Sequence, residues 1–161
     1  MDDMILVGMA DLNVTKSPGA LTTLGLGSCI GIALYDGAVK VAGLAHIMLP
    51  SSEQIVNNSN VAKFADTAVV RLLNDMSRLG ANKGNIKAKL AGGAQMFAYN
   101  STNELMRIGA RNIEAARAVL GQLRVPIIAE DVGNTYGRTV ELYAEDGRFL
   151  IKTINHGNKY I

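Results

Sequence analysis

The sequence has one cysteine, no tryptophan and few aromatic residues, which make up 5% of its 161 positions. A single cysteine cannot form a disulfide within the chain, so we expect the protein to work in a reducing compartment, the cytoplasm. Because aromatic rings are scarce, the core has to be built from Ala, Val, Ile, Leu and Met. Apolar residues nevertheless make up 48% of the chain, which is ordinary for a globular protein and argues against disorder.

Clusters of charge and long hydrophobic runs are also missing. The formal net charge is +2 and the basic residues are scattered, so the electrostatic pattern of a nucleic-acid-binding protein is absent. The first residues, MDDM, are acidic and do not resemble a signal peptide, and the apolar stretches are too short to span a bilayer. We expect a single domain over residues 1–161, not embedded in a membrane, and a monomer.

The sequence also lacks the usual cofactor motifs. Gly92-Gly93 is not followed by Gly-Lys-Ser/Thr, and no Gly-x-Gly-x-x-Gly pattern occurs, which excludes the common nucleotide-binding loops. One cysteine and two histidines do not supply the ligand set of a structural zinc site. We therefore expect neither a metal nor another cofactor.

Short apolar runs of strand length outnumber helical patterns. The runs predict strands at 4–9, 21–26, 29–35, 39–49, 86–91, 125–131, 138–144 and 149–155. Helical spacing predicts helices at 61–79, with Asn60 as N-cap and Gly80 as C-terminal stop, and at 112–123. Asp36-Gly37 between two runs predicts a tight hairpin turn of the type I′ class. Because at least two pairs of strands are joined by hairpins, we predict an α/β or α+β layered fold with substantial antiparallel sheet, not a doubly wound parallel sheet.

The only cysteine, Cys29, lies between a glycine-rich segment and an apolar run. Gly27 allows the backbone to approach a ligand closely, and the amides of Ser28 and Cys29 are candidate donors to an oxyanion. The alternative is a buried, unreactive cysteine that packs as a small hydrophobic residue. Burial raises a thiol pKa, so a nucleophile at this position requires a cationic or hydrogen-bonding neighbour.

His46 is the candidate neighbour, in the apolar run AHIMLP. In the predicted hairpin Cys29 pairs near residue 44, and a shift of two residues or a bulge at Gly43 would bring His46 within reach of the thiol. His46 would then take the thiol proton as a base and protonate a leaving amine as an acid. The alternative is a core histidine that bonds a backbone carbonyl.

A third group usually orients the imidazole of a catalytic Cys–His pair. Thr23 is available six residues before Cys29, and Glu130 and Asp131 are carboxylate alternatives at the end of a predicted strand. Two arginines, Arg111 and Arg138, lie beside glycine-containing segments and could bind the substrate. The alternative for both arginines is an exposed surface position.

Six segments, in this order, resemble the CheD family of bacterial chemoreceptor glutamine deamidases along nearly the whole chain. They are TLGLGSC at 23–29, AHIMLP at 45–50, KFADTA at 63–68, AGGAQMF at 91–97, IGARN at 108–112 and EDVGN at 130–134. One departure is Asn134, where a second glycine is expected in many relatives; Asn tolerates a left-handed backbone, so we expect a mild effect.

The resemblance implies a Cys-His-Thr triad with Cys29 as nucleophile, His46 as acid and base, and Thr23 as the residue that orients the imidazole. It also implies a mixed, largely antiparallel β-sandwich with helices packed on the outside, similar to the catalytic domains of glutamine-deamidating toxins. The implied reaction, part of chemotaxis adaptation, converts selected glutamines of methyl-accepting chemoreceptors to glutamate through a thioester.

The resemblance further implies a CheC-type response-regulator phosphatase as a partner. A module that mainly regulates such a phosphatase, and a receptor methylesterase with the same Cys–His pair, remain as alternative functions. We expect an open groove rather than a deep pocket, since the substrate is a helix surface. The segments Ser51–Asn60 and Phe97–Ile108 are the candidate rims of that groove.

Overall fold

The computed structural model of the chain describes residues 4–53, 59–96 and 107–161. The described residues contain ten strands and two α-helices. In chain order these are β1 (Met4–Leu6), β2 (Asp11–Lys16), β3 (Ala20–Leu26), β4 (Ile30–Asp36), β5 (Val41–Ile47), α1 (Ala65–Arg78), β6 (Ile86–Gly92), α2 (Ile108–Gln122), β7 (Ile127–Val132), β8 (Arg138–Tyr143), β9 (Phe149–Lys152) and β10 (Asn158–Tyr160).

The strands form two five-stranded sheets. The first sheet has the order β1-β3-β8-β9-β10 and the second has the order β2-β5-β4-β6-β7. Neighbouring strands run antiparallel except in the pairs β1–β3 and β6–β7, which are parallel. The prediction of a mixed, largely antiparallel fold is therefore confirmed.

Alternation along the central strand β4 shows how the layers are arranged. Ile30, Ile32 and Leu34 belong to a core that is shared with both helices, whereas Ala33 packs in a second core between the two sheets. Because successive side chains of a strand point to opposite faces, the second sheet is covered by helices on one face and by the first sheet on the other. The helices thus lie outside the sandwich, as predicted.

The two helices lie where the periodicity predicts them, with different first residues. The side chain of Asn60 accepts a hydrogen bond from the amide of Ala62 and caps a short 3-10 turn, Val61–Lys63, so α1 begins only at Ala65. Gly80 follows α1 with a φ of +100°, as expected of a glycine that ends a helix. Within the described ranges, no helix is long and apolar enough to cross a bilayer.

Helix α2 begins at Ile108, four residues before the predicted start. Its first turn contains Gly109, which is unfavourable inside a helix and hides the helical pattern in the sequence. In the fold this glycine is needed, since a Cβ there would overlap the carbonyl oxygens of Gly93 and Ala94. Tertiary packing, rather than helix propensity, decides where α2 begins.

The predicted two-residue turn at Asp36-Gly37 is wrong. The last pair of the hairpin joins Asp36 to Val41, which leaves a four-residue loop, and the positive φ lies at Lys40 (+56°). The carboxylate of Asp36 accepts hydrogen bonds from the amides of Ala38 and Asn82 and so holds this wider loop. The register of β5 against β4 shifts accordingly, and Gly43 pairs with Leu34 without a bulge.

Two strands, β2 and β10, were not predicted from the sequence. Each lies at an edge of its sheet, and neither contains a fully buried residue. In β10 all side chains are exposed, so the strand leaves no apolar alternation in the sequence. In β2, Leu12 and Val14 alternate with polar residues and pack against the core shared with the helices, a short pattern that was not recognised as a strand. The first strand is also shorter than predicted, since β1 ends at Leu6.

Candidate active site

Residues 27–29 form the loop between β3 and β4, and the carbonyl oxygens of all three accept hydrogen bonds. The amide of Ala94 donates to Gly27 and the amide of Gly93 donates to Cys29, each at 2.8 Å. Among the described residues, no backbone carbonyl accepts from the N–H of Ser28 or Cys29, and the N–H of Cys29 bonds only its own sulfur, which opposes the effect of burial on the thiol pKa. The loop therefore presents its carbonyls to the protein and leaves these two N–H groups available.

The third carbonyl, that of Ser28, accepts a hydrogen bond from a side chain. Asn112 on α2 donates from Nδ2 to Ser28 O at 2.9 Å, and from the same nitrogen to the carbonyl oxygen of Met48 at 3.0 Å. Sequence reasoning gave this asparagine no role, although it ends the segment IGARN. A buried amide of this kind cannot be assigned from one sequence, because both its partners are backbone atoms.

Gly92, the last residue of β6, and Gly93, which follows it, allow the close approach to this loop. Gly92 has a φ of +106°, and a Cβ there would overlap the carbonyl oxygen of Cys29. Gly93 has a φ of +69°, and a Cβ there would overlap the side chain of Ile113. Both positions therefore require glycine: Gly92 because it packs against the loop at residues 27–29, and Gly93 because it packs against α2.

The register of β4 and β5 brings His46 to the same side as the thiol. His46 lies directly opposite Gly31, and the same register continued by two residues places Cys29 opposite residue 48. Cys29 and Gly31 share a face because side chains alternate, and Cys29 belongs to the core between the sheets. His46 thus lies opposite a residue two positions after Cys29, and its side chain shares with Cys29 the face of the second sheet that meets the first.

Thr23 of β3 reaches His46 from the opposite sheet. Its hydroxyl oxygen lies 2.7 Å from Nδ1 of His46 and 2.7 Å from the carbonyl oxygen of Val7. A carbonyl can only accept, so the hydroxyl donates its proton to Val7 and accepts from Nδ1–H of His46. This assignment leaves the lone pair of the neutral imidazole on Nε2.

Burial governs the protonation of both candidate groups. Thr23 and His46 are 0% and 1% exposed, and Cys29 is 9% exposed. Burial raises the pKa of the Cys29 thiol and lowers the pKa of His46. Both groups are therefore held in their neutral forms near pH 7, which suits transfer of a proton from the thiol to the imidazole.

The Nε2 atom of His46 is buried, and no residue in the described part of the chain bonds it. An unpaired buried polar atom costs about 1–3 kcal/mol, so its retention in a fold calls for a reason. An atom that must exchange a proton during a reaction supplies such a reason. The arrangement can therefore perform general acid–base chemistry at the thiol.

The structure does not bring the carboxylate alternatives to the imidazole. Glu130 forms an ion pair with Arg117 at 2.6 Å, and Asp131 pairs with Arg138 at 3.2 Å and with Lys159 at 3.4 Å. Of the three candidates to orient His46, only Thr23 is bonded to it.

The two arginines singled out in the sequence lie in different settings. Arg138 is not a surface residue: it is 2% exposed, donates to Asp131 and Gly133, and has an Nη2 with no partner among the described residues. Arg111 is half-buried on α2 and lines a shallow groove beside Pro50 and Ser51. Because α2 covers the outer face of the second sheet, Arg111 is separated by that sheet from Thr23 and His46, which lie between the two sheets.

Most of the two candidate rims cannot be compared with the structure. Residues 54–58 of the Ser51–Asn60 segment and residues 97–106 of the Phe97–Ile108 segment lie outside the described residues. Of their described ends, Ser52 bonds the carboxylate of Asp66 through its amide and hydroxyl and so ties the segment after β5 to α1.

A protein-family model described as CheD chemotactic sensory transduction matches residues 48–153. A relative from Caldanaerobacter subterraneus subsp. tengcongensis, named probable chemoreceptor glutamine deamidase CheD, is 59% identical over 162 residues and covers 100% of both chains. The chain belongs to the CheD family. The resemblance read from the six sequence segments is thereby confirmed.

Other CheD relatives are similarly complete. The chemoreceptor glutamine deamidase CheD of Halalkalibacterium halodurans is 51% identical over 162 residues and also covers 100% of both chains. A solved structure, that of the hypothetical protein YfiH of Bacillus licheniformis, aligns at a TM-score of 0.47 and 17% identity, covering 75% of this chain and 50% of that one. This last similarity is too distant to bear on function.

The full-length CheD relatives and the family model cover different parts of the candidate site. The model match begins at residue 48, after Thr23, Cys29 and His46, whereas the alignments with the two relatives include all three positions. The roles of these three residues, and of Gly27, Ser28 and Arg111, therefore rest on geometry and chemistry.

Proposed function

We propose that this chain is a chemoreceptor glutamine deamidase, an amidohydrolase that converts specific receptor glutamines to glutamate through a thioester on Cys29. The observation that carries the proposal is the hydrogen-bonded series from Val7 through Thr23 to His46. It leaves Nε2 of His46 unprotonated on the face that the thiol shares. The names of the full-length relatives support the same activity and substrate.

In the first step the Cys29 sulfur attacks the side-chain carboxamide carbon of a receptor glutamine. The thiol proton moves to Nε2 of His46, so that the sulfur becomes nucleophilic only as the bond forms. The carbonyl oxygen gains negative charge, and the amides of Ser28 and Cys29 donate to it. Their availability is supported by the carbonyls of residues 27–29, which are all engaged on the protein side.

In the second step the tetrahedral intermediate collapses. The C–N bond breaks, Nε2 of His46 returns its proton to the nitrogen, and ammonia leaves behind a thioester on Cys29. Nε2 then takes a proton from water, whose oxygen attacks the thioester carbon, and the C–S bond breaks to release glutamate and restore the thiol. One water is consumed and one ammonia is formed per glutamine.

Thr23 has a positioning role in this mechanism. Its hydroxyl accepts from Nδ1–H, which fixes the tautomer and the ring plane of His46. A hydroxyl stabilises an imidazolium less than a carboxylate does, so we expect loss of Thr23 to leave some turnover, whereas loss of Cys29 abolishes it.

Gly27 serves the loop by its small size: the side chain of Met96 lies against its open side, and a Cβ would be 3.3 Å from Met96 Cγ.

Arg111 is proposed to contact the substrate outside the reacting centre. It lines a groove with the acidic residues Glu53 and Glu114, which follow β5 and lie on α2. A receptor helix presents carboxylates and carboxamides along its surface, and a half-buried guanidinium can bind either. This role concerns binding rather than the chemical step.

The reaction has a physical consequence for the receptor. Each conversion adds one negative charge to a helical bundle and creates a carboxylate that can be methylated. Repulsion between neighbouring charges then shifts the equilibrium between signalling states of the bundle.

We propose accordingly that the protein works as a monomer in the cytoplasm, where the signalling region of a chemoreceptor lies, with a CheC-type phosphatase as a further partner.

The test is mass spectrometry of cytoplasmic fragments of chemoreceptors from the same organism after incubation with the wild-type protein or with Cys29→Ala. We expect glutamine-to-glutamate mass shifts and release of ammonia with the wild type alone. Release of methanol would assign a methylesterase instead. No modification with folded fragments, together with stimulation of a CheC-type phosphatase that survives Cys29→Ala, would replace the enzyme by a regulatory module.

A further inference from the structure

Asn112 is the only buried polar side chain among the fifteen residues of α2, and it is 0% exposed. Burying an amide is costly unless its polar atoms are bonded, and Oδ1 of Asn112 has no partner among the described residues. Both Nδ2 protons of Asn112 are bonded, to the carbonyl oxygens of Ser28 and Met48. The reversed amide would turn its oxygen toward two acceptors, so these contacts fix its orientation.

The two carbonyls belong to the segments that carry the candidate nucleophile and base. Ser28 immediately precedes Cys29, and Met48 follows His46 by two residues. One side chain therefore ties the loop at residues 27–29 to the end of β5. No described backbone donor performs this connection for Ser28, whereas the carbonyls of Gly27 and Cys29 are held by backbone amides.

The carbonyl of Ser28 and the N–H of Cys29 belong to the same peptide unit. Because a trans peptide is planar, its C=O and N–H point in opposite directions, and a donor that holds the oxygen also sets the direction of the N–H. From this geometry we propose that Asn112 is a positioning residue, which aims the Cys29 N–H at the oxyanion by holding the other end of the peptide. The proposal rests on the deamidase function above.

The position of α2 makes this contact possible. Gly109, one turn before Asn112, lies against Gly93 and Ala94 so closely that a Cβ would overlap their carbonyl oxygens. The amides of Gly93 and Ala94 in turn hold the carbonyls of Cys29 and Gly27. Helix α2 and the loop at residues 27–29 are thus held as one unit. Within it, Asn112 holds the peptide between Ser28 and Cys29, whose carbonyl oxygen no described backbone amide bonds.

The experiment compares Asn112→Ala with Val119→Ala, a truncation of a buried residue of α2 in the helix–sheet core away from the loop. We expect Asn112→Ala to lower kcat for receptor deamidation by about tenfold or more with KM within about twofold, since one oxyanion donor is worth roughly 10²–10³ in kcat. Alkylation of Cys29 by iodoacetamide, which forms no oxyanion, should not slow. Val119→Ala should keep kcat within about twofold of the wild type.

A kcat for Asn112→Ala within about twofold of the wild type, or a loss of activity matched by slower alkylation, overturns the proposal. If Asn112→Ala does not fold, Asn112→Ser replaces it, since a serine hydroxyl is too short to bond both carbonyls. If the wild type converts no receptor glutamine, the deamidase function fails by itself. The direction of the Cys29 N–H then decides: its residual dipolar coupling should change in Asn112→Ala, and an unchanged coupling overturns the positioning role.

Discussion

The hydroxyl of Thr23 lies 2.7 Å from Nδ1 of His46, and the two residues come from opposite sheets of the sandwich. The same hydroxyl donates to Val7 at 2.7 Å, so it has a single role toward the histidine, that of acceptor. A residue that only accepts from Nδ1–H fixes the tautomer and leaves Nε2 basic. This relationship makes the arrangement usable for catalysis, and it leads to the first prediction.

We expect Thr23→Val to lower kcat roughly 10- to 100-fold, a part of the roughly 10²–10⁴-fold that general acid–base catalysis supplies. Valine has nearly the shape of threonine, so the loss reflects the hydroxyl rather than the packing. Thr23→Ser is the matched control and should retain most of the activity. Nitrogen NMR of the imidazole should show a defined Nδ1–H tautomer in the wild type and a mixture in Thr23→Val; an unchanged tautomer would contradict the assigned role.

The second prediction concerns pH and His46. Burial lowers the folded-state pKa of His46 below its ordinary value of 6.5, so the unfolded chain binds a proton at a higher pH than the folded one. Stability from this group is therefore fully present above pH 6.5 and is lost as the pH falls toward the folded-state pKa. Urea unfolding across this pH range should show the free energy of unfolding decreasing as the pH falls. In His46→Gln the part of this decrease that comes from the histidine should be absent.

The same shift sets the acid limit of activity. A base has to be unprotonated, so the acid limb of kcat/KM is expected below the ordinary pKa of 6.5. An acid limb above this value would contradict the effect of burial on His46.

The third prediction compares two glycines of α2. Gly109→Ala places a Cβ on the carbonyl oxygens of Gly93 and Ala94, whereas a Cβ at Gly121 meets nothing within 4 Å. We expect Gly109→Ala to destabilise the fold by about 1–3 kcal/mol, as overpacking does. Gly121→Ala should instead stabilise it by about 0.5–1 kcal/mol through helix propensity. Chemical denaturation measures both, and equal effects would contradict the packing of α2 on residues 93–94.

The fourth prediction concerns the ion pair between Asp131 and Arg138, whose side chains are 9% and 0% exposed. Removing one member of a buried pair costs about 3–5 kcal/mol, because it leaves the other charge unpaired. We expect a loss of this order for Asp131→Ala in the free energy of unfolding. The more exposed pair of Arg71 and Asp75, whose side chains are 53% and 17% exposed, is the control, and Arg71→Ala should cost at most about 1 kcal/mol. Similar losses in both variants would contradict the burial of Arg138.

Several features of the fold could be predicted from residue patterns because they depend on local physics. The apolar runs that become β3, β4 and β6 are buried strands in the structure, and the helical spacing that predicts α1 reflects one buried face. The exposed edge strand β10 lacks this signal, and the edge strand β2 has only the short alternation of Leu12 and Val14, which are partly buried.

The hairpin of β4 and β5 shows where pattern reasoning ends. Asp36-Gly37 favours a two-residue turn, but the Asp36 carboxylate instead bonds Asn82, a residue 46 positions away. The resulting four-residue loop sets the register and puts His46 opposite Gly31. The position of His46 opposite Gly31, two residues after Cys29, therefore depends on a long-range contact that no local window contains.

By itself, the sequence determined the candidate chemistry: one thiol after a glycine-rich turn, one histidine in a buried run, and a threonine six residues before the thiol. Only the tertiary structure decided that Thr23, rather than Glu130 or Asp131, bonds His46, because the partners belong to different sheets. It alone placed Asn112 against the loop at residues 27–29, through hydrogen bonds to the backbone carbonyls of Ser28 and Met48. Such bonds recognise a position in space and not a residue type, so they leave no pattern in the sequence.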